Sequence, residues 1–231
     1  LNEGGQSAAG AAIDHLVKLH PAHSAAADLA RARGKSLPVW LADAALARVE
    51  SPSAAVTLAD GLHVVPEFLG NRAPFGDPHA RAVIMGQGME TGTDALVAIY
   101  VAGICGLGYG LRQIIETQAR SGAPVETIAI SGGAGRHPLI RQILADATGL
   151  PVEATACEEP VLLGSAILGA VAAGAFPDIR TAMPVMSSAE TVHTPAAGEI
   201  RQLHDARYAA FLKLQRTARE IRGVAIESDR A

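Results

Sequence analysis

Apolar positions recur at helical spacing along most of the chain, and short β-branched runs interrupt them. The pattern predicts a helix over about 8–19, ended by His20-Pro21. Residues 24–33 and 38–49 read as two further helices split by Gly34, and Ser51-Pro52-Ser53 reads as a turn. His63–Pro66 and Arg81–Met85 read as short strands flanking a loop rich in Gly, Pro and Asp. A long helix is predicted from Thr91 or Thr93 to about Ala119, and Ser121–Pro124 breaks the chain. Two strand–helix units follow, 125–130 with 138–148 and 151–155 with 160–174. Such a succession predicts parallel strand pairing with crossover helices. An amphipathic helix over 197–222, carrying Leu203, Tyr208, Phe211, Leu212 and Leu214, closes the chain.

Two stretches, Ala95–Leu111 and Val161–Pro177, lack charges over about 17 positions, the lower limit for crossing a bilayer. Both are interrupted by glycines and neither has a flanking Lys/Arg cluster or aromatic belt. They read as two buried core helices whose small residues permit close packing. Composition agrees with a globular chain: 231 residues, 49% hydrophobic and 18% charged. A net charge of −4 and the lack of any basic block argue against a nucleic-acid surface. Two cysteines, Cys105 and Cys157, make no disulfide framework and fit a reducing cytoplasm.

The chemistry concentrates where a strand gives way to a helix. The run 125–130 is followed by Ser131-Gly132-Gly133-Ala134-Gly135-Arg136-His137, and Pro138 opens the next helix. In open α/β sheets, ligands sit at the carboxyl ends of strands, where helix N-terminal N–H groups are free to donate. The spacing is neither G-x-G-x-x-G nor a P-loop, so a ligand loop and a plain structural turn are both open. A second glycine-rich stretch, Gly4-Gly5-Gln6-Ser7-Ala8-Ala9-Gly10, feeds the first helix. It could hold phosphate oxygens, or Ser7 could simply cap the helix.

Other candidates have plainer readings. His15, His20 and His23 do not share a helix face, so they read as ordinary histidines rather than metal ligands. Arg72 and Arg81 could hold an anion, but read first as structural, bonding loop carbonyls and Asp77. Cys157 follows a strand and reads as a buried thiol. Asp43, Asp60 and Asp94 read as helix or turn residues.

Four segments, in order, resemble the carboxyl-terminal half of the FGGY carbohydrate kinases: NEGGQSAAGAAIDHL at 2–16, FLGNRAPFGDPHARAVIMG at 68–86, SGGAGRHP at 131–138 and EEPVLLGSAILGAVAAG at 158–174. The tail with Tyr208 and Phe211 is similar to the family's last helix. Gly70-Asn71-Arg72 and the Gly4–Ala8 start most resemble the ribulokinase-type branch, which acts on pentuloses such as ribulose.

The resemblance implies a helix-rich α/β domain of ribonuclease H-like fold, as in actin, hexokinase and the Hsp70 ATPase, with a mixed sheet incomplete at its N-terminus. It implies a single carboxyl-terminal domain over 1–231: a core to 180 with a helical insertion at about 20–60, then a tail with a closing helix. The first, sugar-binding domain, with the catalytic base, is expected outside this chain. The implied activity is transfer of the γ-phosphate of ATP to a sugar hydroxyl, with Mg²⁺ accompanying ATP. A non-catalytic actin-like nucleotide-binding or oligomerisation module is the alternative. The implied partners are the sugar, ATP and the first domain, with a homodimer left open and no nucleic acid or membrane. The resemblance places Gly132 and Gly133 against adenine or ribose, Gly10 near the phosphates, and Ile13 and Asp14 toward the adenosine. His137 stands where the family usually has Asn, which costs the side-by-side donor and acceptor of an amide.

Overall fold

A computed structural model describes residues 3–132, 135, 137–155, 157 and 159–228. Helices α1 (Gly10–Lys18), α2 (His23–Ala32) and α3 (Leu37–Leu46) lead into a 3₁₀ helix, Pro52–Ala59. Strands β1 (His63–Val65) and β2 (Val83–Met85) form an antiparallel pair, and α4 (Thr93–Arg120) follows. Then come β3 (Ile128–Ile130), α5 (Pro138–Thr148), β4 (Val152–Thr155), α6 (Pro160–Ala172), α7 (Ile179–Met186), β5 (Ala189–His193) and α8 (Gly198–Ser228). β3 and β4 pair in parallel, as two successive strand–helix units require. β5 adds to the other edge of β4 in the antiparallel sense, giving a mixed sheet in the order β3-β4-β5.

α4 is the centre of the core. It is long and apolar enough to cross a membrane, yet 72% of its most apolar stretch is buried by its neighbours. Its glycines set how close those neighbours come. A methyl group on Gly106 would lie 2.3 Å from the Val64 carbonyl oxygen of β1. On Gly103 it would lie 2.6 Å from the Leu16 side chain of α1. Leu16, Leu41, Leu96, Val101 and Ala147 are fully buried around this helix.

Polar contacts fasten α8 across α4. Tyr109 Oη and His204 Nδ1 are 2.9 Å apart, and Gln113 donates to Gln215 at 2.8 Å. Arg112 bonds Asp205 at 2.6 Å. Arg207 donates to the carbonyls of Ala59 and Leu62, tying the 3₁₀ helix to the same face. Burial, then the charge of Arg207, holds His204 neutral, its pKa pushed down to about 4. Burial likewise pushes the Cys105 thiol up to about 11.

Several expectations need correction. α1 begins at Gly10 after Ala9, and no side chain caps it, so Ser7 is not its cap. Ser51-Pro52-Ser53 opens a 3₁₀ helix rather than a simple turn, with the Ser51 side chain accepting from the Ala54 amide. α6 is not a core helix: Ile167 is its one buried side chain among the described residues, while Val161, Leu162 and Leu168 are exposed. Its partner is α7, an element the pattern did not predict because Pro184 lies inside it. β5 was also unpredicted, since its run Ala189–His193 alternates too briefly to stand out. Asp77 is held by Arg219 and Arg222 of α8 rather than by Arg72, which pairs with Glu3. Arg81 does bond the loop carbonyls of Pro78 and Ala80.

The glycines of α4 and α6 thus differ in kind. Gly106→Ala forces a methyl group onto backbone and is expected to cost about 1–3 kcal/mol. Gly164→Ala meets nothing within 4 Å and removes helix entropy cost, so it is expected to stabilise by about 0.5–1 kcal/mol. Urea denaturation of the two variants checks both signs.

Candidate functional site

The junction between β3 and α5 is built as a bare approach to the main chain. β3 ends at Ile130, and Gly132 turns the chain with φ +88°, the left-handed region that favours glycine. Gly132 is exposed, and among the described residues a Cβ on it would meet nothing within 4 Å. The Gly135 amide closes the turn onto the Gly132 carbonyl at 3.1 Å, and the Arg141 side chain donates to the Gly135 carbonyl. Gly133 lies outside the described residues.

α5 starts at Pro138, whose missing N–H costs nothing at that position. His137 is its N-cap: Nδ1 accepts from the Leu139 amide at 3.2 Å. A ring nitrogen that accepts carries no proton, so the hydrogen of the neutral ring sits on Nε2. Nε2 lies 3.2 Å from Asp43 Oδ1 and donates to it. Asp43 Oδ2 accepts from Lys35 at 2.6 Å. The Lys35 hydrogen bond foremost, then the His137 bond, holds the Asp43 carboxyl below the usual carboxylate range against partial desolvation. α3 therefore brings a charged acceptor to the first turn of α5. Sequence reading missed this, because Asp43 and His137 are 94 residues apart and no local spacing links them.

α1 also packs on α4, through Gly103. Gly10 is exposed, opens the helix, and would accept a Cβ with nothing within 4 Å. With Ala9 as its N-cap, α1 has no side-chain cap among the described residues. Asp14 is exposed one turn further on. Ile13 departs from the expectation that it faces the adenosine. It is 4% exposed and packs toward Gly103 of α4, because Ala12, Ile13, Leu16 and Val17 form the inward stripe of α1. Successive helical residues point about 100° apart, so Asp14 is outside where Ile13 is inside. Tyr100 of α4 links the two carboxylates: burial, then the charges of Asp14 and Asp43, push its hydroxyl pKa up. That hydroxyl is buried with no hydrogen-bond partner among the described residues. Asp14 and Asp43 thus both lie within electrostatic reach of Tyr100.

A concavity lies between the 6–8 segment, the 66–73 loop, α4 and α8. Its polar groups are already engaged with each other. Gln6 donates to the Leu107 carbonyl at 2.7 Å, Gln113 to Gln215 at 2.8 Å, and Gln215 to Glu67 at 2.7 Å. It is a joint between loops and helices. The histidines of the first helices are also placed: His15 packs edge-on to Phe68, and buried His20 accepts from the Ala22 amide.

The sequence profile of the FGGY family of carbohydrate kinases, C-terminal domain, matches residues 1–173. The chain belongs to the FGGY family of carbohydrate kinases. An FGGY carbohydrate kinase domain-containing protein of Xenopus laevis is 38% identical over 224 residues, 97% of this chain and 40% of that protein. A D-ribulokinase of Saccharomyces cerevisiae is 36% identical over 177 residues, 75% of this chain and 25% of that protein. The crystal structure of a xylulose kinase from Brucella ovis superposes with a TM-score of 0.73 at 17% identity, covering 94% of this chain and 40% of that one. This likeness shows the actin- and hexokinase-like fold of the FGGY kinases, helix-rich with a mixed sheet. The chain spans about two-fifths, or less, of the length of these relatives.

The Lys35–Asp43–His137 chain makes a direct prediction. In Lys35→Met the Asp43 pKa rises toward the ordinary carboxylate value. As a depressed carboxylate, Asp43 contributes stability above its unfolded pKa and loses it as pH falls through the folded one. In Lys35→Met that acid limb moves to higher pH. Carboxyl ¹³C NMR titration reads the shift, and an unmoved Asp43 contradicts the assignment.

Proposed function

We propose that this FGGY chain is the nucleotide-binding half of an ATP-dependent carbohydrate kinase whose acceptor is a pentulose such as ribulose. The observation that carries the reading is the open main chain at Gly132, between the end of β3 and the capped start of α5. A flat purine approaches such a backbone where any side chain would hold it off. The name of the yeast relative, a D-ribulokinase, supports the pentulose class. Gly10 and the uncapped first turn of α1 are assigned to the phosphates, where N–H groups and the positive helix end favour anions. Asp14 is assigned to the ribose hydroxyls as acceptor.

ATP supplies the phosphoryl group, and Mg²⁺ accompanies it. The residues of this chain bind and orient the nucleotide. The proton acceptor for the sugar hydroxyl and the sugar pocket are assigned to the first domain of the full-length kinase. Phosphoryl transfer depends chiefly on positioning and charge stabilisation, so both halves are needed for turnover. Small sugars and ATP meet in the cytoplasm, where we place the protein.

The full-length protein with ATP, Mg²⁺ and D-ribulose is expected to release ADP only when the pentulose is present. Gly132→Val adds left-handed strain and bulk over the main chain, and is expected to raise the KM for ATP at least about tenfold. A coupled ADP assay measures both, with thermal melting to confirm folding. No pentulose-dependent ADP release, or an unchanged KM in the variant, contradicts the proposal.

A further inference from the structure

We infer that Arg72 holds the outermost phosphate of a bound nucleoside triphosphate, and that Glu3 is the anion it releases to do so. This rests on the nucleotide reading above and adds a side chain that reading did not use.

Two stretches far apart in the sequence meet in the fold. The glycine-rich segment ahead of α1 and the loop that carries Arg72 line one concavity, which takes in Gln6, Ser7, Asn71 and Arg72. The glycines allow the approach. A Cβ on Gly4 would lie 2.7 Å from the Ile114 side chain of α4, and one on Gly5 would lie 3.4 Å from Arg72 Nη1. Bare main chain thus lies against the guanidinium, where larger side chains would hold the two apart.

The loop that presents Arg72 is tightly held. The backbones of Asn71 and Asp77 exchange hydrogen bonds at 2.8 and 2.7 Å, and the Asn71 side chain accepts from the Phe75 amide at 3.0 Å. Arg222 of α8 pairs with Asp77, and the Arg219 guanidinium lies 3.9 Å from the centre of the Phe75 ring. The Arg72 head is less committed. It pairs with Glu3, and the two side chains are 58% and 70% exposed. An ion pair so open to water contributes little to stability. A terminal phosphate carries more charge than one carboxylate and offers the planar guanidinium two oxygens at once, so it displaces Glu3.

Order along the chain selects the outermost phosphate. Asp14 is assigned to the ribose and Gly10 to the phosphates. Gly5, against which Arg72 lies, comes next in that direction.

Calorimetric titration of the full-length protein with Mg²⁺ and either ADP or the non-hydrolysable ATP analogue AMP-PNP tests this. In Arg72→Gln, AMP-PNP binding is expected to weaken at least about tenfold, the scale of one hydrogen bond to a charged group, while ADP binding is unchanged. In Glu3→Gln the competing carboxylate is gone, and AMP-PNP binds more tightly, by up to about fivefold. Arg81→Gln removes an arginine that bonds loop carbonyls. It leaves the ratio of AMP-PNP to ADP affinity unchanged, which separates phosphate contact from loop structure. AMP-PNP affinity unchanged in Arg72→Gln, an equal loss for ADP, the same loss in Arg81→Gln, or weaker AMP-PNP binding in Glu3→Gln overturns this inference alone. If neither nucleotide binds the wild-type protein, the nucleotide reading falls and this inference with it.

Discussion

Close packing along α4 is the constraint on which the rest of the structure depends. A helix of 28 residues spans about 42 Å, enough to touch α1, α2, α3, the 3₁₀ helix, β1, α5 and α8. Gly103 admits the Leu16 and Ile13 side chains of α1, and Gly106 admits the Val64 carbonyl of β1. Gly108 lets Ala147 of α5 come as near. These approaches fix where α1 and α5 begin relative to each other. The polar bonds from Tyr109, Arg112 and Gln113 then fasten α8 to the same helix. Interiors packed to this density do not shift gradually, so α1 and α5 are each held firmly on α4.

The site inherits that rigidity. Its chemistry comes from main chain and helix ends, at Gly10 and Gly132, and from a few side chains whose own partners are fixed. His137 is locked by capping α5, Asp43 by Lys35 and His137, and Asp14 by its place opposite the buried stripe of α1.

Much of the fold was legible in the pattern of apolar positions. The long helix, both parallel strand–helix units and the closing helix lie close to where periodicity places them, because burial on one face dictates that periodicity. α6 was misjudged for a related reason. Its run is as apolar as that of α4, but apolarity alone does not say which neighbour covers it, and here Val161, Leu162 and Leu168 face outward. α7 and β5 escaped because Pro184 masks the first and five residues specify the second too weakly. The turn at Gly132 was legible from spacing, whereas the capping of α5 by His137 was not. Ile13 was misassigned although the i, i+3, i+4 pattern of α1 already pointed it inward. Asp43 was not legible at all, since its meeting with His137 depends on how α3 lies across the start of α5, a tertiary fact.

The central claim is that the starts of α1 and α5, held by α4, form one nucleotide surface. Amide chemical-shift mapping during titration with ADP tests it most directly. The account predicts that the largest shifts fall together on Gly10, Asp14, Gly132 and His137 and spare α6 and α7. Shifts confined to the concavity beside Gln6, Asn71 and Gln215, with the glycine turn unmoved, would contradict it.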